Sequence, residues 1–185
     1  MTPLDQLIAV ARTSASRREG APRIVAVDGP SGSGKTTFAD EVAAELARRF
    51  GTRPQIVHMD DIFPGWDGLA QAVDLVVDYV LAPLSRGAAG SFRRWDWLAG
   101  ERAEWVDVPL ADWLVVEGVG SGSRRCRPHL SALAWLDADP DVRMARGLER
   151  DGEPFRPHWQ RWARQEQQLF AEEDTVSHAD VVIRT

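Results

Sequence analysis

The chain has one cysteine, no long apolar run and no excess of basic residues. The single cysteine, Cys126, excludes a disulfide within the chain and fits a reducing compartment. No stretch approaches the roughly 20 apolar residues that a membrane-spanning helix needs. The formal net charge of −6 argues against a broad nucleic-acid-binding surface, which would need a basic face. We therefore expect a cytoplasmic protein whose partners include neither membranes nor nucleic acids.

The rest of the composition is that of an ordinary globular domain. A chain of 185 residues, 44% hydrophobic and 27% charged, is large enough for one substantial core. The sequence contains no internal repeat, low-complexity tract or domain linker. We predict a single domain over residues 1–185. No sequence pattern fixes the oligomeric state, and a homodimer is one of the states left open.

One segment, residues 29–36, matches the phosphate-binding loop pattern G-x-x-x-x-G-K-[ST]. An apolar run at 24–27 precedes it and an amphipathic stretch from 36 to about 49 follows it, which is the strand–loop–helix order that the motif requires. In such a loop, backbone N–H groups hold phosphate oxygens, the lysine reaches the β- and γ-phosphates, and the final hydroxyl binds Mg²⁺. The sequence therefore predicts a nucleoside triphosphate site. Its expected nucleotide-binding residues are Gly29, Pro30, Ser31, Gly32, Ser33, Gly34, Lys35, Thr36 and Thr37.

Apolar strands alternate with amphipathic helices along the chain. This alternation is typical of a parallel sheet covered by helices, so we predict an α/β fold of P-loop NTPase type with a five-stranded parallel sheet and helices on both faces. The predicted strands cover 24–27, 55–59, 113–117, 132–136 and 181–183. The predicted helices cover 2–18, 36–49, 69–85, 140–150 and 157–172. A small hairpin is predicted from segments 91–97 and 105–108.

Acidic side chains stand at the ends of two predicted strands. Asp60 and Asp61 follow the second strand, and Glu117 ends the third. In an open α/β sheet, ligands bind beyond the carboxyl ends of the strands, so these carboxylates and the phosphate loop are expected to meet. There they would manage Mg²⁺ and an acceptor hydroxyl. His58, within the second strand, is interpreted as a packed or capping residue rather than a base.

Taken in order, these motifs resemble those of the uridine kinase-like branch of the P-loop kinases. Members of that branch share a loop ending G-S-G-K-T-T, an acidic-aromatic motif after the second strand, E-G after the third, an arginine-bearing lid helix and A-D-V before the closing strand. The corresponding residues here are 32–37, 60–63, 117–118, 143–151 and 179–181. The resemblance covers nearly the whole chain, from about residue 24 to 183.

The resemblance implies a base and a metal site. Asp60 would take the proton of the acceptor hydroxyl and would also lie near Mg²⁺, although Asp61 stays open as the base. Thr36 and Glu117 would hold the metal, Glu117 either directly or through water. ATP and Mg²⁺ are therefore the expected cofactors, and a preference for ATP over GTP is left open.

The resemblance also implies a lid at about 140–157, inside the single domain. Its arginines would close over the phosphates and, together with Lys35, stabilise charge on the transferring group, which is where phosphoryl transfer gains most of its rate. The three arginines lie on one side of the predicted helix, because they are three and four residues apart. They are Arg143, Arg146 and Arg150.

The predicted hairpin stands where the family places acceptor-binding residues. Its segment 93–97 reads R-R-W-D-W, whereas true uridine kinases have a histidine- and proline-bearing acidic motif in this region. Asp96 would hold sugar hydroxyls, Arg94 a charged group, and Trp66, Trp95 or Trp97 would stack on a base or ring. The substrate-binding residues that we predict are Asp61, Phe63, Trp66, Arg94 and Asp96.

The function implied is transfer of the γ-phosphoryl group of ATP to a hydroxyl group of a small molecule, most simply a nucleoside. A sugar-like or other hydroxyl metabolite is an alternative acceptor. A cytidylate-type nucleoside monophosphate kinase is another alternative, because residues 27–32 resemble the start of cytidylate kinases. Against it, the carboxylates at 60 and 61 would repel an anionic acceptor. A nucleotide-dependent switch that transfers no phosphoryl group to a metabolite is the remaining alternative.

Overall fold

Five parallel strands, largely buried on both faces, form the centre of the fold. The computed structural model of the chain describes residues 1–14, 20–152 and 156–185, and at 150, 151 and 156 it describes the backbone only. The strands are β1 Arg23–Asp28, β2 Gln55–His58, β3 Gly90–Asp96, β4 Glu101–Val108, β5 Trp113–Glu117, β6 Ala132–Asp137 and β7 Val181–Arg184. The main sheet has the order β2-β5-β1-β6-β7, and each neighbouring pair is parallel. The predicted α/β fold with a five-stranded parallel sheet is confirmed.

Six α-helices are described, and the first and fifth begin at residues whose side chains cap them. They are α1 Pro3–Thr13, α2 Lys35–Phe50, α3 Leu69–Val76, α4 Ala82–Ser85, α5 Pro140–Asp151 and α6 Arg156–Glu173. The Thr2 hydroxyl accepts the Asp5 N–H and the Asp5 carboxylate accepts the Thr2 N–H, each at 3.1 Å, which caps α1. Residues 15–18 of the first predicted helix and 153–155 of the predicted lid lie outside the described residues. Among the described helices, none has both the length and the apolar character needed to cross a bilayer.

Alternate residues of the central strands enter two apolar cores, one on each face of the sheet. In β1, Ile24 and Ala26 belong to one core, and Val25 and Val27 belong to the other. Residues of α3 and α6 complete the first core, and residues of α1 and α2 complete the second. Because side chains alternate across a strand, a strand buried on both faces has a continuous apolar run in its sequence. That run is the signal from which the strands were predicted.

The segment predicted as one helix over 69–85 is interrupted. α3 ends at Val76, a π-helical stretch covers Val77–Leu81, and α4 follows. Pro83, the second residue of α4, has no N–H to donate to the preceding turn, so the regular hydrogen-bond series cannot continue through it. The π-helical stretch lies against Gly90 of β3, where an added Cβ would be 2.8 Å from the Tyr79 carbonyl oxygen. Periodicity predicted the buried face of this segment but not its interruption.

β3 and β4 form the predicted hairpin as a separate antiparallel sheet. The pairing runs from Gly90 opposite Val108 to Asp96 opposite Glu101, with a register shift between Arg93 and Trp95. Such an irregularity bends and twists a strand locally. The hairpin is separate from the main sheet, and its strand β3 contacts the turn that follows β2.

Helix α5 packs its backbone directly against the phosphate loop. Gly32 has a φ of +78°, and an added Cβ would lie 2.3 Å from the Arg143 carbonyl oxygen. Gly87 has nearly the same φ, +79°, but nothing lies within 4 Å of an added Cβ. These two glycines share a backbone conformation and differ in their surroundings, so they form a matched pair for mutation.

We predict that Gly32→Ala lowers the free energy of unfolding more than Gly87→Ala. An alanine at either position is strained by about 1–2 kcal/mol in the left-handed region. At position 32, α5 must also move away from the loop, which adds roughly 1–3 kcal/mol. Urea unfolding followed by circular dichroism measures both losses. Equal losses in the two variants would contradict the close packing of α5 on the loop.

Candidate functional site

The carboxyl ends of β1, β2 and β5 meet at one edge of the sheet. In the strand register, Val27 and His58 both lie opposite Glu117. The phosphate loop follows β1, and Asp60 lies in the short turn Met59–Asp61 after β2. Together these segments border a cavity of about 200 Å³. Its lining residues are Ser31, Gly32, Gly34, Lys35, Thr36, Thr37, Asp60, Glu117, Val119 and Arg146.

The phosphate loop leads directly into α2. The helix begins at Lys35, and the first N–H groups of a helix have no acceptor within it, which suits them to an anion. Lys35 is buried, and its ammonium group donates to the Pro30 carbonyl oxygen at 3.0 Å. The Ser33 N–H donates to the same carbonyl oxygen at 3.2 Å. The loop thus closes around the Pro30 carbonyl, with the lysine held at the cavity.

Glu117 is a buried carboxylate with two partners. Its Oε1 accepts a hydrogen bond from the Thr36 hydroxyl at 3.4 Å and lies 2.6 Å from Nδ1 of His58. The structure therefore brings Thr36 and Glu117 together, as the prediction of a shared metal site required. The hydrogen bond to Glu117 raises the pKa of His58, because the carboxylate favours the imidazolium form.

The pair formed by His58 and Glu117 was missed in the sequence. His58 was interpreted as a packed or capping residue, whereas its ring is bound to the carboxylate at the centre of the site. A signal did exist, because His58 and Glu117 both stand at the ends of apolar strands. Using that signal requires knowing that β2 and β5 are neighbours, which depends on the strand order of the folded sheet.

The two aspartates after β2 lie in different surroundings. Asp60 borders the cavity, and its carbonyl oxygen accepts the indole N–H of Trp97 at 2.9 Å. Asp61 is half-buried, and burial raises the pKa of its carboxyl group, while the charges of His58 and Arg94 act in the opposite direction. Of the two, Asp60 is the aspartate that borders the cavity.

The predicted lid arginines do not share one position. Arg146 borders the cavity, and its guanidinium donates to the Gly32 carbonyl oxygen at 3.3 Å. Arg143 donates instead to the Ala138 carbonyl oxygen at 3.1 Å, just before its own helix begins. The regular spacing of the arginines therefore did not predict where the Arg143 side chain points. A side chain in the first turn of a helix can reach the residues that precede the helix. The side chain of Arg150 lies outside the described residues.

An aromatic cluster lies beside Asp60. Trp66 stacks on His158 with ring centres 4.3 Å apart and planes 7° apart, and Trp97 is tilted against Trp66 at 4.8 Å. Trp97 is also the residue that donates to the Asp60 carbonyl oxygen. The cluster thus joins the segment after β2, the hairpin and α6. It brings the predicted ring-stacking residue Trp66 close to Asp60.

The other predicted acceptor residues already have partners within the chain. Arg94 forms an ion pair with Glu104 across the hairpin, at 2.7 Å. The Asp96 carboxylate accepts backbone N–H groups of the hairpin turn. Phe63 is fully buried and packs edge to face on Trp162, with ring centres 4.8 Å apart. The Phe63 ring thus lies in the core below the site, and its contact with a substrate stays a prediction.

Asp28 is another buried carboxylate beside the site, and sequence analysis did not single it out. It ends β1 and accepts N–H groups from Gly29 at 2.7 Å, Gly122 at 2.8 Å and Gly120 at 3.0 Å. Burial raises the pKa of Asp28 to about 6, and these N–H groups act in the opposite direction. Asp28 therefore ties the start of the phosphate loop to the segment after Glu117. The sequence pattern that predicted a role for Glu117, an acidic residue at the end of an apolar strand, is also present at Asp28.

Several solved structures share this arrangement of strands and helices. The chain is similar to a protein described as a possible uridine kinase from Bacillus stearothermophilus, with a TM-score of 0.65, 20% identity and 97% of each chain covered. It is similar to a protein described as a candidate fructose transport system kinase from a Silicibacter species, with a TM-score of 0.62, 18% identity and 99% of each chain covered. A D-glycerate 3-kinase from Cryptococcus neoformans matches with a TM-score of 0.58 and 14% identity, over 92% of this chain and 86% of that one.

These similarities concern the fold. No family model matches the chain, and no curated protein matches it at a significant level. Identities of 14–20% are too low to carry a substrate from one chain to another. The chain therefore has the fold of the P-loop kinases, with a five-stranded parallel sheet and the phosphate loop at its carboxyl edge.

Proposed function

We propose that this protein is a Mg²⁺-dependent kinase that transfers the γ-phosphoryl group of ATP to a hydroxyl group of a small molecule. The observation that carries the proposal is the single cavity bordered by the phosphate loop, the Thr36–Glu117 pair and Asp60. Phosphoryl transfer needs a holder for the triphosphate, oxygen ligands for the metal and an acceptor for the hydroxyl proton. The cavity offers a candidate for each.

The phosphate loop and α2 would bind the triphosphate. Lys35 now donates to the neutral Pro30 carbonyl oxygen. A phosphate oxygen is a stronger acceptor for an ammonium group than a carbonyl oxygen, so the bound nucleotide would take over this donor. Arg146, which also borders the cavity, would add a second positive charge near the phosphates. Both cations would stabilise the charge that spreads over the transferring group.

Thr36 and Glu117 would hold Mg²⁺ through oxygen atoms. Within the described ranges, no three His, Cys, Asp or Glu side chains form a ready-made metal site. In kinases, Mg²⁺ is held by one or two protein ligands, and phosphate oxygens and water complete its coordination. Hard oxygen ligands fit this ion, and when bound it neutralises phosphate charge. His58 would keep the Glu117 carboxylate oriented through its hydrogen bond.

Asp60 would accept the proton of the acceptor hydroxyl. Its position on the cavity wall supports this role, and the Trp97 indole that binds its carbonyl oxygen holds the turn in place. The adjacent rings of Trp66 and Trp97 favour an acceptor with a ring, and a nucleoside is the leading candidate. The names of the three similar proteins refer to uridine, fructose and glycerate, each of which offers hydroxyl groups. An acceptor that presents a phosphate would be repelled by Asp60 and Asp61.

Replacing Asp60 by Asn is expected to reduce phosphoryl transfer about 10²-fold or more, since a general base contributes this much. The affinity for ATP should change by less than about twofold, since Asn keeps the shape and ATP binding does not use the base. Acceptor-dependent ADP release and calorimetric titration with ATP measure the two effects. Asp61→Asn tests the other candidate base, and Asp107→Asn, which makes the same change at an exposed aspartate of the hairpin, is the matched control and should keep its activity. Full activity in Asp60→Asn, or loss only in Asp61→Asn, would contradict the assignment.

ADP release is expected to depend on an acceptor. A panel of nucleosides, sugars, polyols and hydroxy acids, supplied with MgATP, should contain compounds that raise the rate of ADP release well above the rate of hydrolysis in water. The phosphorylated product is identified by mass spectrometry. Rapid hydrolysis of ATP that no compound accelerates would instead favour a nucleotide-dependent switch.

Removal of divalent cations with EDTA is expected to abolish transfer, and added Mg²⁺ should restore it. Glu117→Gln removes a charged metal ligand and should raise the Mg²⁺ concentration for half-maximal activity by roughly tenfold. Glu104→Gln, which removes an exposed carboxylate from the hairpin, serves as the control with the same change of charge. An unchanged Mg²⁺ requirement in Glu117→Gln would show that Glu117 does not support the metal.

A further inference from the structure

Helix α6 presses a buried carboxylate against the phosphate loop. Glu166 is 3% exposed, and its Oε1 accepts the backbone N–H of Ser31 at 2.9 Å and the Ser31 hydroxyl at 2.5 Å. The indole N–H of Trp162 donates to the same oxygen at 2.9 Å. Glu166 and Ser31 lie 135 residues apart in the sequence, so only folding brings them together. The kinase chemistry proposed above makes no use of this carboxylate.

The position of Glu166 matters because the loop is built to bind an anion. Ser31 is the third residue of the phosphate loop and lines the proposed triphosphate cavity. Backbone N–H groups of such a loop donate to phosphate oxygens, and Ser31 contributes one N–H to the loop. Here that N–H donates to an anionic group of the chain itself. A triphosphate bound at the loop would lie near the negative charge of Glu166, and like charges in a partly buried site repel strongly.

The same contact also reaches the acceptor side of the site. The Trp162 ring packs edge to face on Phe63 at 4.8 Å and on Trp66 at 6.2 Å. One turn further along α6, Gln165 donates to the Trp66 carbonyl oxygen at 2.7 Å. The helix therefore contacts the phosphate loop through Glu166 and through the Trp162 indole N–H, which also lies 3.1 Å from the Ser31 hydroxyl oxygen. It contacts the aromatic segment after Asp60 through the Trp162 ring. Movement of Glu166 away from Ser31 would therefore affect both the phosphate loop and the aromatic segment after Asp60.

We propose that Glu166 determines how tightly the nucleotide site binds phosphate. Its carboxylate is an internal anion that competes with the phosphates of the nucleotide for Ser31 and so lowers the affinity of the loop for them. This inference rests on the proposed function, because it requires that the loop binds a polyphosphate. A carboxylate that merely fixed α6 to the loop would leave phosphate affinity unchanged or lower it when neutralised. If Glu166 competes with the phosphates, neutralising it should instead raise the affinity for phosphate.

The test compares Glu166→Gln with the wild-type protein. Glutamine keeps an oxygen that can accept from Ser31 and Trp162 but removes the negative charge. We expect this variant to bind inorganic tripolyphosphate and a non-hydrolysable ATP analogue at least roughly fivefold more tightly, because the repulsion is gone. Tripolyphosphate has no base or sugar, so it reports on the phosphate loop alone. Isothermal titration calorimetry at fixed ionic strength measures both affinities.

Glu172→Gln is the matched control. It removes the same charge from the same helix, but Glu172 is exposed and its carboxylate binds Gln168 rather than the loop. The affinity of the Glu172→Gln variant for both probes should stay within about twofold of wild type. This result would rule out a general effect of net charge. Unchanged or weaker binding in Glu166→Gln, with a normal thermal unfolding transition, would overturn the inference.

Trp162→Phe provides a second variant if Glu166→Gln does not fold. It keeps an aromatic ring against Phe63 but removes one of the three donors that hold the carboxylate oxygen. The carboxylate should then compete less well, and tripolyphosphate should bind more tightly; equal or weaker binding would count against the inference. If the wild-type protein binds neither probe, the proposed function fails and this inference fails with it. If the wild-type protein binds both and the variants bind no better, the inference alone fails.

Discussion

The parallel pairing of β5 with both β1 and β2 is the constraint on which the candidate site depends. This register sets Val27 and His58 opposite Glu117, so the phosphate loop, the turn with Asp60 and the Glu117 carboxylate meet at one edge. The register of β1 and β5 is itself fixed by packing, because both faces of these two strands are buried. A shift by one residue would turn every apolar side chain to the wrong core. The geometry of the site is therefore a consequence of how the core packs.

Three buried carboxylates then hold separate parts of the chain around the phosphate loop. Asp28 binds the segment after β5, Glu117 joins β2 to the start of α2, and Glu166 attaches α6. Burying a carboxylate is costly unless donors surround it, and each of these has N–H or O–H donors at hydrogen-bond distance. The loop that we propose to bind a polyphosphate is thus surrounded by fixed negative charge as well as by Lys35 and Arg146. The balance between the two signs would set how tightly the site binds its nucleotide.

Much of the fold could be predicted from local patterns. The predicted strands of the main sheet agree with the observed ones to within about one residue at each end, because a buried parallel strand has a continuous apolar run. The second hairpin strand, predicted from residue 105, begins at Glu101 instead. The π-helical stretch Val77–Leu81 was not predicted, since periodicity reports the buried face of a helix and not its hydrogen-bond pattern. Phe63 was assigned to the substrate because it follows an acidic motif, but its ring is buried in the core. Sequence spacing gave no means to tell an inward ring from an outward one.

The sequence by itself determined the phosphate loop, the alternating strands and helices, and the acids Asp60 and Glu117 at the strand ends. These follow from neighbouring residues, and strand ends in a parallel sheet share one edge whatever the details. Only the tertiary structure decided that Arg146 rather than Arg143 borders the cavity, that His58 binds Glu117, and that Glu166 occupies Ser31. The reason is physical: each of these contacts joins segments far apart in the chain, so it depends on strand order and helix packing and leaves no local pattern to read.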